Sequence, residues 1–315
     1  MTALRFSIIV PTFNRPVEVA GLLESLCRLS YPHDGFEVII VDDGGDARLD
    51  SLVAPFRDRL SISLLRQTNQ GPGRARNFGA TVAAGQWLAF TDDDCRPDAD
   101  WLIALEAALT KQPMSLVGGR TINFLTSNLY SEASQFIVDL VYAFYNERPD
   151  AARFFASNNF AMSRDLFESI GGFDPRFFRS AAEDRDLCDR WLHAGRPMAC
   201  AAGAIIGHGH ALTLRSFCRQ HFTYGRGALR YQRQRRRRGS GTMSRDMGFH
   251  LRLPAMAWRA MRGRPWSLLR RGGIVALLAM WQVINALGFF YEYALHLGER
   301  RQPPVPHTHE SAAAR

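Results

Sequence analysis

Residues 87–95, Trp87-Leu88-Ala89-Phe90-Thr91-Asp92-Asp93-Asp94-Cys95, run an apolar segment straight into three consecutive carboxylates. The apolar part lacks the alternation of a half-exposed strand and reads as a short strand covered on both faces by helices. Three adjacent acids at its end repel one another, so a cation or several hydrogen bonds must offset their charge. Mg2+ or Mn2+ suits that need, because these hard ions combine one or two carboxylates with substrate phosphates. A solvated acidic turn ahead of a helix at 101–109 is the structural alternative.

Runs at 6–10, 36–41 and 61–65 repeat the pattern of the first segment, and helix-like stretches at 17–29, 50–58 and 73–84 lie between them. Strand and helix alternating at this spacing predict an α/β fold with a mostly parallel central sheet flanked by helices. Two more of these strands end in polar loops, Pro11-Thr12-Phe13-Asn14-Arg15 and Asp42-Asp43-Gly44-Gly45-Asp46. Open parallel sheets bind ligands at the carboxyl ends of their strands, which sends all three loops into one crevice. Asp42 and Asp43 could accept hydrogen bonds from a uracil N–H or a ribose hydroxyl, and an Asx turn with Gly44-Gly45 accounts for the same residues.

In Asn69-Gln70-Gly71-Pro72-Gly73-Arg74-Ala75-Arg76-Asn77, the glycines and Pro72 mark a turn and a helix start. Arginines in the first turns oppose the helix dipole, so an anionic partner explains them better than helix stability does. Arg76 is the stronger candidate, with a salt bridge to the Asp-rich loops as the alternative.

Taken in order, Ser7-Ile8-Ile9-Val10-Pro11-Thr12-Phe13-Asn14-Arg15, Val41-Asp42-Asp43-Gly44, Ala75-Arg76-Asn77, Asp92-Asp93-Asp94, Gly171-Gly172-Phe173-Asp174 and Glu183-Asp184 resemble glycosyltransferase family 2 over residues 6–210. The resemblance implies a GT-A type fold, a nucleotide-diphospho-sugar donor carrying UDP, GDP or dTDP, and inversion at the anomeric carbon. By position it implies nucleotide contacts for Pro11, Thr12, Asn14, Arg15, Asp42, Asp43, Arg76, Asp92 and Asp93, with Asp92 near the ribose. It implies Asp94 as the metal ligand, joined by His208 of Gly207-His208-Gly209-His210, and Asp184 as general base beside Glu183. Asn158 and Asn159 would face the acceptor, although loop asparagines also serve backbone hydrogen bonding. Ser180-Ala181-Ala182-Glu183 is a capping-box pattern, so the two acids could merely start a helix, whose N-terminus would keep Asp184 ionised.

The chain's 315 residues are long enough for a sizeable core, and 46% hydrophobic with 22% charged residues is a globular balance. Cys27, Cys95, Cys188, Cys200 and Cys218 form no C-x-x-C pair and suggest reduced, cytosolic thiols. The opening apolar run is too short for a signal peptide and breaks at Pro11.

The net charge of +9 comes almost wholly from arginine, since Lys111 is the single lysine, and much of the arginine follows residue 214. No aromatic-interleaved basic patch or nucleic-acid module accompanies it, so no nucleic-acid partner is expected. An anionic membrane surface is, because arginine binds phosphate groups well. Residues 212–231 look helical, 233–238 are almost all arginine and 301–315 suggest a disordered tail.

The apolar stretch 274–297 is long enough to span a bilayer, yet Gln282, Asn285, Glu292 and His296 fall on one helical face. With Arg262, Arg264, Arg270 and Arg271 before it and Arg300 and Arg301 after, it reads as a helix in the cytoplasmic leaflet. A single span and a helix packed on the catalytic domain remain open.

These readings divide the chain into a GT-A domain over 1–210, with a donor half to about 115 and an acceptor half from 116, and a basic helical membrane-associated region over 211–300. The expected activity is metal-dependent transfer of a hexose-type unit to a lipid-linked or polysaccharide acceptor. An inactive nucleotide-sugar-binding or membrane scaffold protein is one rival. A sugar nucleotidyltransferase is another, but the loop after the first strand lacks the glycine cluster and lysine of a triphosphate site.

Overall fold

The computed structural model describes residues 4–177 and 181–299. Ser180 of the expected capping box, Arg300, Arg301 and the expected tail at 301–315 lie outside the described residues. The strands are β1 (Phe6–Thr12), β2 (Phe36–Asp42), β3 (Ile62–Arg66), β4 (Trp87–Thr91), β5 (Cys95–Pro97), β6 (Leu116–Asn123), β7 (Asn159–Ser163) and β8 (Met198–His208). The α-helices are α1 (Pro16–Leu26), α2 (Asp50–Val53), α3 (Pro72–Val82), α4 (Trp101–Lys111), α5 (Leu129–Tyr145), α6 (Arg164–Ser169), α7 (Glu183–His193), α8 (Leu214–Arg238), α9 (Ser244–Arg262) and α10 (Leu268–Glu299).

The strands form one sheet in the order β3-β2-β1-β4-β7-β6-β8-β5. Pairing is parallel from β3 through β4, and β7 and β5 run against the others. Successive side chains point to opposite faces, and here both faces are dry. Ile8, Val10, Val38 and Ile40 pack under α1, α2 and α4, whereas Ile9, Ile39 and Val41 pack under α3 and the helices beyond β7. This is why the strands read as unbroken apolar runs. Gly79 lets α3 lie close on the sheet, since a Cβ there would stand 2.7 Å from Cγ2 of Ile9.

A third core joins α5 to α8, α9 and α10 through Phe136, Leu140, Phe217, Phe249, Leu253 and Trp281. Thr213 and Ser216 close a capping box at the start of α8, and Gly239 ends it in the left-handed conformation. The arginine run is therefore helical and forms the last turns of α8. Part of it is turned inward: Arg238 pairs with Asp186 and Asp189 at 2.7 Å each, and Arg235 with Asp189 and Asp246 at 3.1 Å each. The acids of α7 and α9 attract these two side chains, leaving Arg236 and Arg237 exposed.

The long apolar segment is inverted relative to an ordinary surface helix. Its polar stripe faces α8: Glu292 is buried and accepts hydrogen bonds from Nε of Arg226 and Nε of Arg230, both at 2.7 Å, and Asn285 Nδ2 donates to the His221 carbonyl at 3.4 Å. Its outward face carries Leu269, Val283, Leu287 and Phe290, each more than half exposed. Within Leu268–His296 an 18-residue window has a mean hydropathy of 1.8, so this helix is long and apolar enough to cross a membrane. The contacts with α8 match the packed-helix reading, and the apolar outer face is what a membrane-bound helix needs.

Candidate active site

The acidic turn after β4 owes its surroundings to a strand far away in sequence. The short strand β5 pairs antiparallel with the end of β8, setting Cys95 opposite His208, and the Gly209 N–H donates to the Asp94 carbonyl at 2.8 Å. Two imidazoles are thereby delivered to one carboxylate. His210 Nδ1 lies 3.0 Å from Asp94 Oδ2, and His208 Nε2 lies 3.2 Å from Asp94 Oδ1. Burial alone would raise Asp94, but contacts with His208 and His210 and the charge of Arg15 outweigh it and hold the carboxyl well below its ordinary range. Burial likewise opposes charge on His208, and Asp94 overcomes it and raises the imidazole.

Asp93 points the other way and serves the loop after β1. Its Oδ2 accepts from Thr12 Oγ1 at 2.7 Å, and its Oδ1 accepts from Arg15, whose NH1 also reaches Asp94 Oδ2 at 2.9 Å. Burial lifts the Asp93 carboxyl to about 6 against the pull of Arg15. The three adjacent acids thus divide: Asp93 and Asp94 share Arg15, and Asp92 faces Arg76.

The group Asp94, Cys95 and His208 brings its ligand atoms within 4.8 Å of one another. Asp94 Oδ1 is buried without an aligned hydrogen bond, an arrangement a hard cation would complete. Cys95 does not fit such an ion, since its thiol is soft and burial pushes its pKa well up. The residues therefore suit one divalent cation held by Asp94 and His208, with coordination left for an oxygen-bearing ligand.

Across the crevice, Arg76 NH2 donates to Asp92 Oδ1 at 2.6 Å, and its NH1 donates to Glu183 Oε1 at 3.4 Å. Its guanidinium lies over the Phe173 ring at 5.4 Å. The expected alternative, a salt bridge to the acidic loops, is present, and it is a buried one, with the Arg76 side chain 3% exposed. Asn77 clamps the Gly171-Gly172-Phe173 loop by accepting from the Phe173 N–H at 2.8 Å and donating to its carbonyl at 2.7 Å.

Ala182, at φ +71°, enters α7 through the left-handed region, a costly conformation for alanine that turns Glu183 and Asp184 into the crevice. The helix start was expected to keep Asp184 ionised. Burial instead raises the Asp184 carboxyl, against the Arg185 N–H it accepts at 2.7 Å. Burial, followed by the charge of Asp184, pushes Glu183 to about 7.

A cavity of about 820 Å³ collects Pro11, Thr12, Arg15, Asp43, Arg76, Asp92, Asp93, Asp94, Asn158, Glu183, Asp184 and His208 along one chamber. Three residues expected at a ligand lie off its walls. Asp42 closes an Asx turn, accepting from the Gly45 N–H at 2.8 Å, and Asn14 accepts from the Asp46 N–H at 2.6 Å. Asn159 is fully buried and spends its amide on the core, accepting from Trp101 Nε1 and donating to the carbonyls of Arg120 and Ala204. Each is diverted because a nearby backbone or indole group would otherwise be unpaired. Asp43 lines the chamber while accepting the Gln70 and Gly71 N–H groups at 2.8 Å, which builds the turn ahead of α3.

Sequence reasoning missed His210, although it sits in the motif that singled out His208. It also gave no site role to His221, Tyr224, Trp281 and Gln282, which line the far end of the same chamber. In the stretch Tyr224-Gly225-Arg226-Gly227 of α8, a Cβ at Gly225 would meet the Asn285 carbonyl at 2.0 Å, one at Gly227 would meet Ala181, and Arg226 pairs with Glu292. The two glycines let α8 touch α10 on one side and the approach to Glu183 on the other.

Residues 7–171 match the family model described as Glycosyl transferase family 2. Poly(ribitol-phosphate) beta-N-acetylglucosaminyltransferase TarS of Staphylococcus aureus is 36% identical over 93 residues, 29% of this chain and 16% of that protein. The chain thus matches only a small part of TarS. Glycosyltransferase AglE of Haloferax volcanii is 27% identical over 227 residues, 71% of this chain and 72% of that protein. The solved mannosyltransferase PcManGT from Pyrobaculum calidifontis, in complex with GDP-Man and Mn2+, superposes with a TM-score of 0.66 at 19% identity, covering 95% of this chain and 88% of that one. That likeness establishes the GT-A type arrangement.

Proposed function

The chain belongs to glycosyl transferase family 2, and from that premise we propose that it moves a hexose-type unit from a nucleotide-diphospho-sugar to an acceptor hydroxyl with inversion. One observation carries the reading: Asp92, Asp94 and Arg76 line the same chamber as Asp184, so a donor held at the strand ends presents its sugar to a carboxylate on the opposite wall. Asp184 takes the proton of the acceptor hydroxyl as its oxygen attacks the anomeric carbon and the bond to the nucleotide diphosphate breaks. The raised Asp184 carboxyl makes it a better base than an ordinary aspartate once it is deprotonated.

Thr12 and Asp43 contact the nucleotide, Asp92 approaches the ribose, Arg15 and Asp93 brace the loop between them, and Asn158 faces the acceptor. Asp94 and His208 hold Mg2+ or Mn2+, which when bound offsets charge on the departing diphosphate. The GDP-Man and Mn2+ bound by PcManGT support this donor class. The acceptor is lipid-linked or polysaccharide.

The outward face of α10 lies on an anionic membrane surface, at the cytoplasmic side, and α9 adds the exposed Trp258, Arg252, Arg259 and Arg262.

The test combines donor binding with turnover. Purified protein is screened with UDP-, GDP- and dTDP-sugars, with and without Mg2+ or Mn2+, for binding and slow donor hydrolysis. Asp184→Asn is expected to bind donor normally and lose about 10²–10⁴-fold in kcat. A scaffold would be indifferent to this change, and a nucleotidyltransferase would consume nucleoside triphosphate. Failure to bind any of these donors with metal present sinks the reading.

A further inference from the structure

The helical end of the chamber differs in chemistry from the donor end. Val141, Phe249, Trp281 and Phe289 give it apolar walls. Met247 and Phe290 line it as well while standing 53% and 64% exposed, so its mouth opens beside exposed apolar side chains of α9 and α10. Within these walls His221 is 2% exposed, and among the described residues neither of its ring nitrogens has a hydrogen-bond partner. The ring is held by aromatic contacts alone, with Phe217 at 4.3 Å, Tyr224 at 5.7 Å and Trp281 at 6.2 Å. Nε2 of Gln282, on the neighbouring helix, is also buried without a partner among the described residues, although the same side chain hydrogen-bonds with His250.

A buried polar atom left unpaired is destabilising, so two such groups in the walls of one chamber point to a ligand that satisfies them. Desolvation pushes His221 down to about 4, which leaves a neutral ring with one donor and one acceptor at pH 7. That pair suits a hydroxyl or an amide better than a charged group. A bare glycan would pair His221 and Gln282 but leave polar groups against Phe249 and Phe289. A bare hydrocarbon would fill the walls and leave the polar atoms unpaired. Only an amphiphile meets both conditions.

We propose that the helical end of the chamber seats the acceptor as an amphiphile drawn from the membrane, with a hydroxyl or amide near its head bonded to His221 and Gln282 and its apolar chain leaving past Phe290. This rests on the transferase reading above and decides between its two acceptor classes in favour of the lipid-linked one.

The test uses the full chain and alkyl β-glucosides from butyl to octyl, kept below their micelle concentrations, with glucose and maltotriose as chain-free controls. Calorimetric titration should show saturable one-to-one binding whose affinity rises about fourfold per added methylene. His221→Phe should weaken octyl glucoside about tenfold and also raise the melting temperature by about 2–4 °C, because it removes an unpaired buried group without changing the aromatic packing. A histidine retained only for structure would lower the melting temperature when replaced. Gln282→Leu provides the same comparison from the other helix.

An affinity that does not change with chain length overturns the proposal, as does equal binding of maltotriose. Octyl glucoside binding unaffected by either substitution also overturns it, since adsorption on the outer face of α10 would behave that way. Donor binding with Mn2+, measured on the same samples, fails only if the transferase reading itself is wrong.

Discussion

The two ends of the chamber differ in how they hold their polar side chains: the strand end binds them to one another, with Asp94 Oδ1 and Arg76 Nε left over, and the helical end leaves a whole imidazole unpaired. At the strand end, Asp93 is held by Thr12 and Arg15, Asp43 by three donors, and Arg76 by Asp92 and Glu183. At the helical end, His221 and Gln282 Nε2 are buried with no such partners. The strand end is organised before any donor arrives, so little has to be rearranged on binding. The helical end leaves polar groups to be satisfied by a ligand, and its outer surface leaves apolar groups to be covered. One end is built from loops on a rigid sheet, the other from long helices joined through glycine contacts.

Removing Arg76 is the strongest way to break this contrast. Arg76→Met leaves Glu183 buried beside Asp184 with no cation and should cost about 3 kcal/mol in urea denaturation; Asp92, about a third exposed, can turn to water and keeps the loss from being larger. A loss below about 1 kcal/mol would mean that the strand end is not held by its ion pairs.

A smaller effect is expected where the helices touch. Gly225→Ala forces a methyl against the Asn285 carbonyl and should cost about 1–3 kcal/mol in thermal melts, while donor binding at the strand end stays normal. Loss of donor binding would show that the two ends are one cooperative unit.

The smallest effect sharpens the chemistry between them. Activity requires ionised Asp184, so it is lost as pH falls through that group's raised pKa. Glu183 titrates above Asp184 and is protonated where Asp184 loses its proton, so Glu183→Gln should leave the acid limb of the kcat profile in place. A limb that moves to lower pH would indicate that Glu183 is already charged where Asp184 titrates.

The strands and acidic loops were legible because they are local patterns: apolar runs of strand length, each closed by residues that turn the chain. Partners were not legible in the same way. Asp42, Asn14 and Asn159 belong to motif-like stretches, yet the fold uses them to pair backbone and indole groups. His208 and His210 reach Asp94 only because β5 pairs with the end of β8. The arginine run suggested a lipid contact, and two of its members found the acids of α7 and α9 instead.

The last helix shows the limit most clearly. Its sequence displays one polar and one apolar side, which determines amphipathicity but not which side faces the protein. Glu292 lies inward because Arg226 and Arg230, more than 60 residues earlier, offer it two charge-assisted hydrogen bonds. By itself, the sequence determined the α/β alternation, the crevice at the strand ends and the acids within it, since each follows from neighbours along the chain. Only the tertiary structure decided which acid meets which cation, how Asp184 is perturbed, and that His221 waits unpaired in a chamber open to the apolar surface. Those depend on packing between distant segments, where burial and the choice of partner set the energy.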